Sequence, residues 1–198
     1  MIESATTRDR KRYETAQRIT ACALRLTDRH GLDGYTMEQL AAAADVSRRT
    51  LFNYFPTKLD AVLGAAPEVP AEHVDAFRAG GPHGDLVEDL AELARVALSG
   101  TTQDRATVEI GRRLLAGEPR LLVATHRRFE GITDEFVTLV LEREGAGFDP
   151  ARARLLLRVV LTVFDLALDA FVADRAAGGA DLVDLFDRQL RDVRELFR

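Results

Sequence analysis

Apolar positions recur at three- and four-residue spacing along nearly the whole chain, and the strict alternation that marks strands is almost absent, so the pattern predicts an all-α protein. A first helix over residues 10–29 carries Ile19, Cys22, Ala23 and Leu26 on one face and stops at Gly31, with Gly34 marking the turn that follows. Thr36-Met37-Glu38-Gln39 has the form of a capping box and opens a short helix whose inward face is Met37, Leu40, Ala41 and Ala44. Asp45-Val46 makes a tight turn, Ser47 caps a third helix through about Tyr54, and Pro56 prevents its continuation. Thr57 starts a fourth helix with Leu59, Val62 and Leu63 inward. Further helices are expected at about 85–99, 102–116, 119–144, 150–176 and 181–197. Thr101, Pro119 and the Asp149-Pro150 pair supply their start signals. The expectation is an all-α chain of about nine helices.

The stretch 64–84, with Pro67, Pro70, Gly80-Gly81 and Pro82, is the best candidate for a boundary, dividing the chain into domains 1–64 and 65–198. The most apolar stretch, 155–171, is interrupted by Arg158, Asp165 and Asp169, whereas a lipid span needs about 20 apolar residues; it reads as a buried helix. No apolar signal core follows Met1-Ile2-Glu3-Ser4, which sets a cytoplasmic location as the expectation, with no membrane partner. The single Cys22 excludes an internal disulfide and reads as a small buried hydrophobe. His30, His73 and His83 show no spacing with Cys or carboxylates that implies a metal site. Paired catalytic carboxylates, a nucleophile motif and a phosphate-cradling Gly loop are also missing from the pattern. Neither an enzyme nor a bound cofactor is therefore expected.

Charge changes the picture only when it is divided along the chain. The net charge is −5, yet residues 1–64 hold 10 Lys and Arg against 8 Asp and Glu, while residues 65–198 hold 17 against 24. Both lysines, Lys11 and Lys58, lie in the first part. A protein so charged cannot coat nucleic acid through bulk charge; any such binding has to come from a few well-placed cations.

Two short helices joined by a tight turn supply such a placement. The second, about eight residues and roughly 12 Å long, fits a DNA major groove about 12 Å wide. Within Ser47-Arg48-Arg49-Thr50-Leu51-Phe52-Asn53-Tyr54-Phe55, Leu51 and Phe55 are spaced to pack against Met37, Leu40 and Val46. Arg48, Arg49, Phe52 and Asn53 are then left on the outer side, where Arg can pair with guanine and Asn with adenine. The run from Thr36 to Ser47, followed by Thr50-Leu51-Phe52-Asn53-Tyr54-Phe55-Pro56-Thr57-Lys58, resembles the DNA-binding signature of the tetracycline-repressor (TetR) family. Two positions depart from it: Asp45 replaces the usual turn glycine, and Phe52 stands where the family usually has Tyr. Asp tolerates a left-handed backbone, and Phe52 keeps stacking or thymine-methyl contact while losing the hydroxyl.

The resemblance implies a homodimeric regulator, a repressor, that binds a palindromic double-stranded operator and is released by a small-molecule effector. By position, Thr36, Tyr54 and Lys58 would hold phosphates, and Ser47, Arg48, Arg49, Thr50 and Asn53 would lie at or near the groove. Arg8, Arg10, Lys11 and Arg12 form either a basic arm reaching flanking DNA or a solvated cationic helix start.

The C-terminal part is expected to bind ligand and dimerise. Its punctuation at Gly117-Glu118-Pro119, Gly147-Phe148-Asp149-Pro150 and Gly178-Gly179 resembles an actinobacterial-type branch of the family with an acyl-CoA-like ligand domain. That resemblance implies an apolar effector of the acyl-CoA kind. Leu182, Leu185, Phe186, Leu190, Val193 and Phe197 recur on the last helix, which with the helix before it is expected to form the dimer face. The stripe Arg154, Arg158, Thr162, Asp165 and Asp169 reads as a solvent face, an interface ion-pair row or a pocket wall. Val108, Leu115, Phe129, Ile132, Phe136 and Phe164 are pocket candidates, although residues at this spacing also make plain core. Arg112 and His126, with Arg113, Arg127 and Arg128, can receive phosphates of a coenzyme A-like ligand or face solvent. The rival to a ligand-released repressor is an effector-independent DNA-binding protein on the same fold.

Overall fold

The computed structural model describes residues 2–65, 69–99, 104–174 and 179–196, with side chains described from residue 11 onward. Ten helices and no strand stand among the described residues: α1 (Ile2–His30), α2 (Met37–Ala43), α3 (Arg48–Tyr54), α4 (Lys58–Leu63), α5 (Ala71–Arg78), α6 (Leu86–Ser99), α7 (Arg105–Gly117), α8 (Pro119–Glu144), α9 (Pro150–Ala173) and α10 (Leu182–Leu196). The all-α expectation holds. Helix α5 was not expected, because its eight residues lie inside the Gly- and Pro-rich stretch read as a boundary. Pro67, Thr101, Gly178 and Phe197, and the side chains of Arg8 and Arg10, lie outside the described residues. Among those described, no helix is long and apolar enough to cross a membrane.

The chain divides into two compact units, one of Met1–Ala66 with Ala106–His126, the other of Pro67–Arg105 with Arg127–Arg198. The first unit therefore takes in most of α7 and the start of α8 besides the four N-terminal helices. Its core joins Ile19 and Ala23 of α1, Leu40 of α2, Leu51 of α3 and Ala61 of α4, all fully buried. Ile110, Leu114 and Leu115 of α7 and the buried Leu121 of α8 pack against them. Two bidentate-type contacts fasten these later helices: Arg113 grips Asp28 at 2.9 Å, and Arg120 reaches Asp33 at the same distance. Hydrogen bonding and the charge of Arg120 hold the Asp33 carboxyl below its usual range. These partners lie more than 80 residues apart in sequence, so no local pattern announces them.

In the second unit, one apolar cluster packs Ala91 and Leu98 of α6, Val160, Val163 and Ala167 of α9, and Leu182, Leu185, Phe186 and Leu190 of α10. Another packs Phe77 of α5, Leu90 and Leu93 of α6, Val137 and Val140 of α8, and Ala153 and Leu157 of α9. Of the α10 residues expected at a dimer interface, Leu182, Leu185, Phe186 and Leu190 are buried within the unit against α6 and α9, and Val193 is partly buried there. What α9 leaves outward instead is Leu155 and Leu166, 65% and 43% exposed. The polar stripe of α9 is in part an ion-pair row to α8 of the same unit: Arg154 meets Asp134 at 2.6 Å, and Arg158 meets Glu130 at 3.1 Å. Asp149 caps α9 by accepting from the Ala151 N–H, with Pro150 at the first turn as expected.

Candidate nucleic-acid interface

Each element of the α2–α3 pair is set by a side-chain cap. Thr36 accepts from the Gln39 N–H at 3.2 Å, and the Thr36 N–H donates to Gln39 Oε1 at 2.7 Å, completing the capping box. Ser47 accepts from the Thr50 N–H at 3.0 Å, and Thr57 with Asp60 forms a second box at the start of α4. At its other end α2 is pinned to α1, where Arg18 Nε donates to the Ala44 carbonyl at 3.0 Å and Cys22 Sγ approaches the Ala43 carbonyl at 3.3 Å. Carbonyls that a helix end leaves without partners are thereby satisfied. The turn then needs one left-handed residue, and Asp45 supplies it at φ +50°. The preceding turn needs glycine for space, since a Cβ on Gly34 would collide with the His30 carbonyl.

Leu51 and Phe55 are buried, with Met37, Leu40 and Val46 in the same core, and α3 turns Arg48, Arg49, Phe52 and Asn53 outward, all exposed. The side chains of Arg49 and Asn53 make no hydrogen bond or ion pair among the described residues. Arg48 is engaged: its Nε lies 3.1 Å from Glu38 of α2, and its guanidinium stands 5.5 Å from the Phe52 ring centroid. The Glu38 carboxyl is held below its usual range by its own backbone N–H, then by the Thr36 hydroxyl and the Arg48 charge. Tyr54 is half-buried, and Thr50 Oγ1 lies 2.7 Å from Ser47 Oγ.

Lys58 donates to the Tyr35 carbonyl at 2.8 Å and stands 5.0 Å from the Tyr35 ring. An ammonium has three donors, so two remain for another partner. Tyr35 is in turn buried, its hydroxyl 3.0 Å from Thr27 Oγ1, and burial pushes its phenol above the usual value. Glu38 and Tyr35 are participants that sequence reasoning missed; each acts across a tertiary contact. Lys11 and Arg12 are exposed on α1, which is already helical from Ile2, so both lie within the helix rather than at its start.

The ligand candidates divide between the units. Val108, Arg112, Leu115 and His126 fall in the first, where Leu115 packs on the core and His126 is exposed. Phe129, Ile132, Phe136 and Phe164 fall in the second; Phe136 and Phe164 pack on different apolar clusters there. No group of three or more His, Cys, Asp or Glu among the described residues is placed to hold a metal.

Two short helices with a left-handed turn, a capped second helix and an outward row of Arg, Arg, Phe and Asn define a helix-turn-helix DNA-binding domain. Residues 19–63 match the family model of the bacterial regulatory proteins, tetR family. No curated protein matches the chain. Among solved structures, it is similar to Thermus thermophilus FadR, a TetR-family transcriptional repressor in complex with lauroyl-CoA. The two share 25% sequence identity over 91% of this chain and 93% of that one, with a TM-score of 0.49.

Proposed function

We propose that this protein is a ligand-responsive transcriptional repressor that binds a palindromic operator as a homodimer and is released by a small apolar effector of the acyl-CoA kind. The observation that carries the DNA-binding part is the outer face of α3, where Arg49 and Asn53 stand exposed with their polar groups uncommitted. Thr36, Ser47, Arg48, Thr50, Tyr54 and Lys58 complete the surface, with Thr36, Tyr54 and Lys58 toward phosphates. A dimer follows from the geometry of operators: one seven-residue helix reads few bases, and two heads one helical turn apart, about 34–36 Å, multiply that reading. Exposed Leu155 and Leu166 on α9 supply the apolar contact for the second copy.

The effector reading rests on the resemblance of the C-terminal part and on Phe129, Ile132, Phe136 and Phe164 of the second unit, none of which is fully buried. Calorimetry with acyl-CoAs and free fatty acids of several lengths, with and without operator, tests it. Linkage requires operator to weaken effector binding by the factor by which effector weakens operator binding. Binding indifferent to operator, or none, leaves an effector-independent DNA-binding protein on the same fold.

A further inference from the structure

The outward face of α3 consists of two i, i+4 columns: Arg48 with Phe52, and Arg49 with Asn53. The second column is polar and uncommitted. In the first, Arg48 is held between Glu38 of α2, 3.1 Å from its Nε, and the Phe52 ring, 5.5 Å from its guanidinium. Arg48, Arg49 and Lys58 are the cations of residues 36–63, and Arg48 alone has a carboxylate partner among the described residues. Lys58 rests on a neutral carbonyl instead. Glu38 stands two positions after Thr36, which is expected to meet a phosphate, so its carboxylate lies where an anionic backbone would approach. Its own backbone N–H, with the Thr36 hydroxyl and Arg48, holds that carboxyl below the usual range and keeps it an anion at neutral pH.

DNA of any sequence attracts a protein by releasing the counterions of its phosphates, so each available cation adds affinity without adding selectivity. An arginine that leaves a carboxylate for a phosphate strands that carboxylate, and the net release of ions is close to nil. We propose, on the reading of α3 as the groove-entering helix, that Glu38 is a specificity-determining residue that withholds Arg48 from phosphates. Generic DNA is thereby denied one cation per head, while base reading stays with Arg49 and Asn53. The operator stands out because every other sequence is bound more weakly, a difference of affinities rather than an extra contact.

The test uses the full chain, an operator obtained by selection from random DNA and a scrambled duplex of the same length and composition, between about 50 and 200 mM salt. Glu38→Gln keeps the shape, drops the charge and tightens binding to the scrambled duplex about two- to fivefold per head, the range of one exposed ion pair. The loss of that affinity across the salt range grows by about 3.5-fold per head, the equivalent of one more phosphate contact. The operator gains less, so the operator-to-scrambled ratio narrows. In an Arg48→Met background the same substitution leaves scrambled-duplex affinity and its salt dependence where Arg48→Met alone puts them. An effect of Glu38→Gln that persists without Arg48 is bare repulsion of phosphate and overturns this assignment. So does a Glu38→Gln variant that binds the scrambled duplex no better, or that melts earlier and weakens both duplexes alike, as a residue that only starts α2 would. Those outcomes leave operator selection by the wild type intact. Wild-type protein that selects no sequence at all overturns the functional reading and this assignment with it.

Discussion

The outer face of α3 and the interior of the second unit use charge in opposite ways. Around α2 and α3 the cations stand outside, and the Arg49 side chain has no partner among the described residues. In the second unit charge is taken inside: Asp89 of α6 is fully buried and meets Arg143 of α8, only 4% exposed, at 2.7 Å. Arg143 also donates to the Phe77 and Gly80 carbonyls and stacks on Phe77, and Asp89 accepts from the His83 N–H at 2.7 Å. Farther along α6, Arg95 ties Glu88, Glu92 and Asp187 together. A surface meant for a charged partner keeps donors unspent; a unit that must hold loops against helices spends them internally.

The sharpest way to break that contrast is to remove one half of the buried pair. Asp89→Ala removes the buried partner of Arg143, leaving it Glu144, and is expected to cost about 3 kcal/mol, read by urea denaturation, whereas an exposed pair contributes about 0–1. A loss below 1 kcal/mol would show that the pair is as dispensable as a surface one. Burial alone would push the Asp89 carboxyl up, but the His83 N–H and Arg143 outweigh it and hold its pKa below the ordinary value. Its contribution is therefore complete above the unfolded pKa, about 3.9, and is lost as pH falls through the lower folded value. Asp89→Asn should flatten that acid-side loss.

Next in size is the apolar face of α10. Leu185→Ala should cost about 3 kcal/mol while leaving the oligomeric mass unchanged, because Leu185 is buried within its own unit. Leu155→Glu with Leu166→Glu should do the reverse, shifting light scattering from twice 21.9 kDa toward the single chain with little loss of helix. Dissociation by Leu185→Ala alone would return α10 to the dimer face. Smaller still is Thr36→Ala, which removes one cap on α2 and should cost about 1 kcal/mol in thermal unfolding. No measurable change would mean the box contributes only geometry.

The head was legible because its determinants are local. Thr36 and Gln39 are three residues apart, as are Ser47 and Thr50, and the turn conformation of Asp45 is a property of that residue type. What sequence could not show are pairings across long separations: Arg113 with Asp28, Arg143 with Asp89, Glu38 with Arg48. The same limit applies to α10. Periodicity reveals that Leu182, Leu185, Phe186 and Leu190 share a face, but not whether that face meets the same chain or a second copy. Helix α5 escaped because eight residues between prolines and glycines hold too few turns for a period to stand out.

The central claim is that the uncommitted column of α3 reads bases while Lys58 only holds the backbone. Selection of sites from random DNA by wild-type protein, Arg49→Ala, Asn53→Ala and Lys58→Ala tests it most directly. The account predicts an inverted repeat for wild type and relaxed preference at one position per half-site for each α3 variant, a loss of about 1–3 kcal/mol against the preferred base. Lys58→Ala should select the same motif more weakly, its salt slope lower by about one. Unaltered motifs from both α3 variants, or a changed motif from Lys58→Ala, would contradict it.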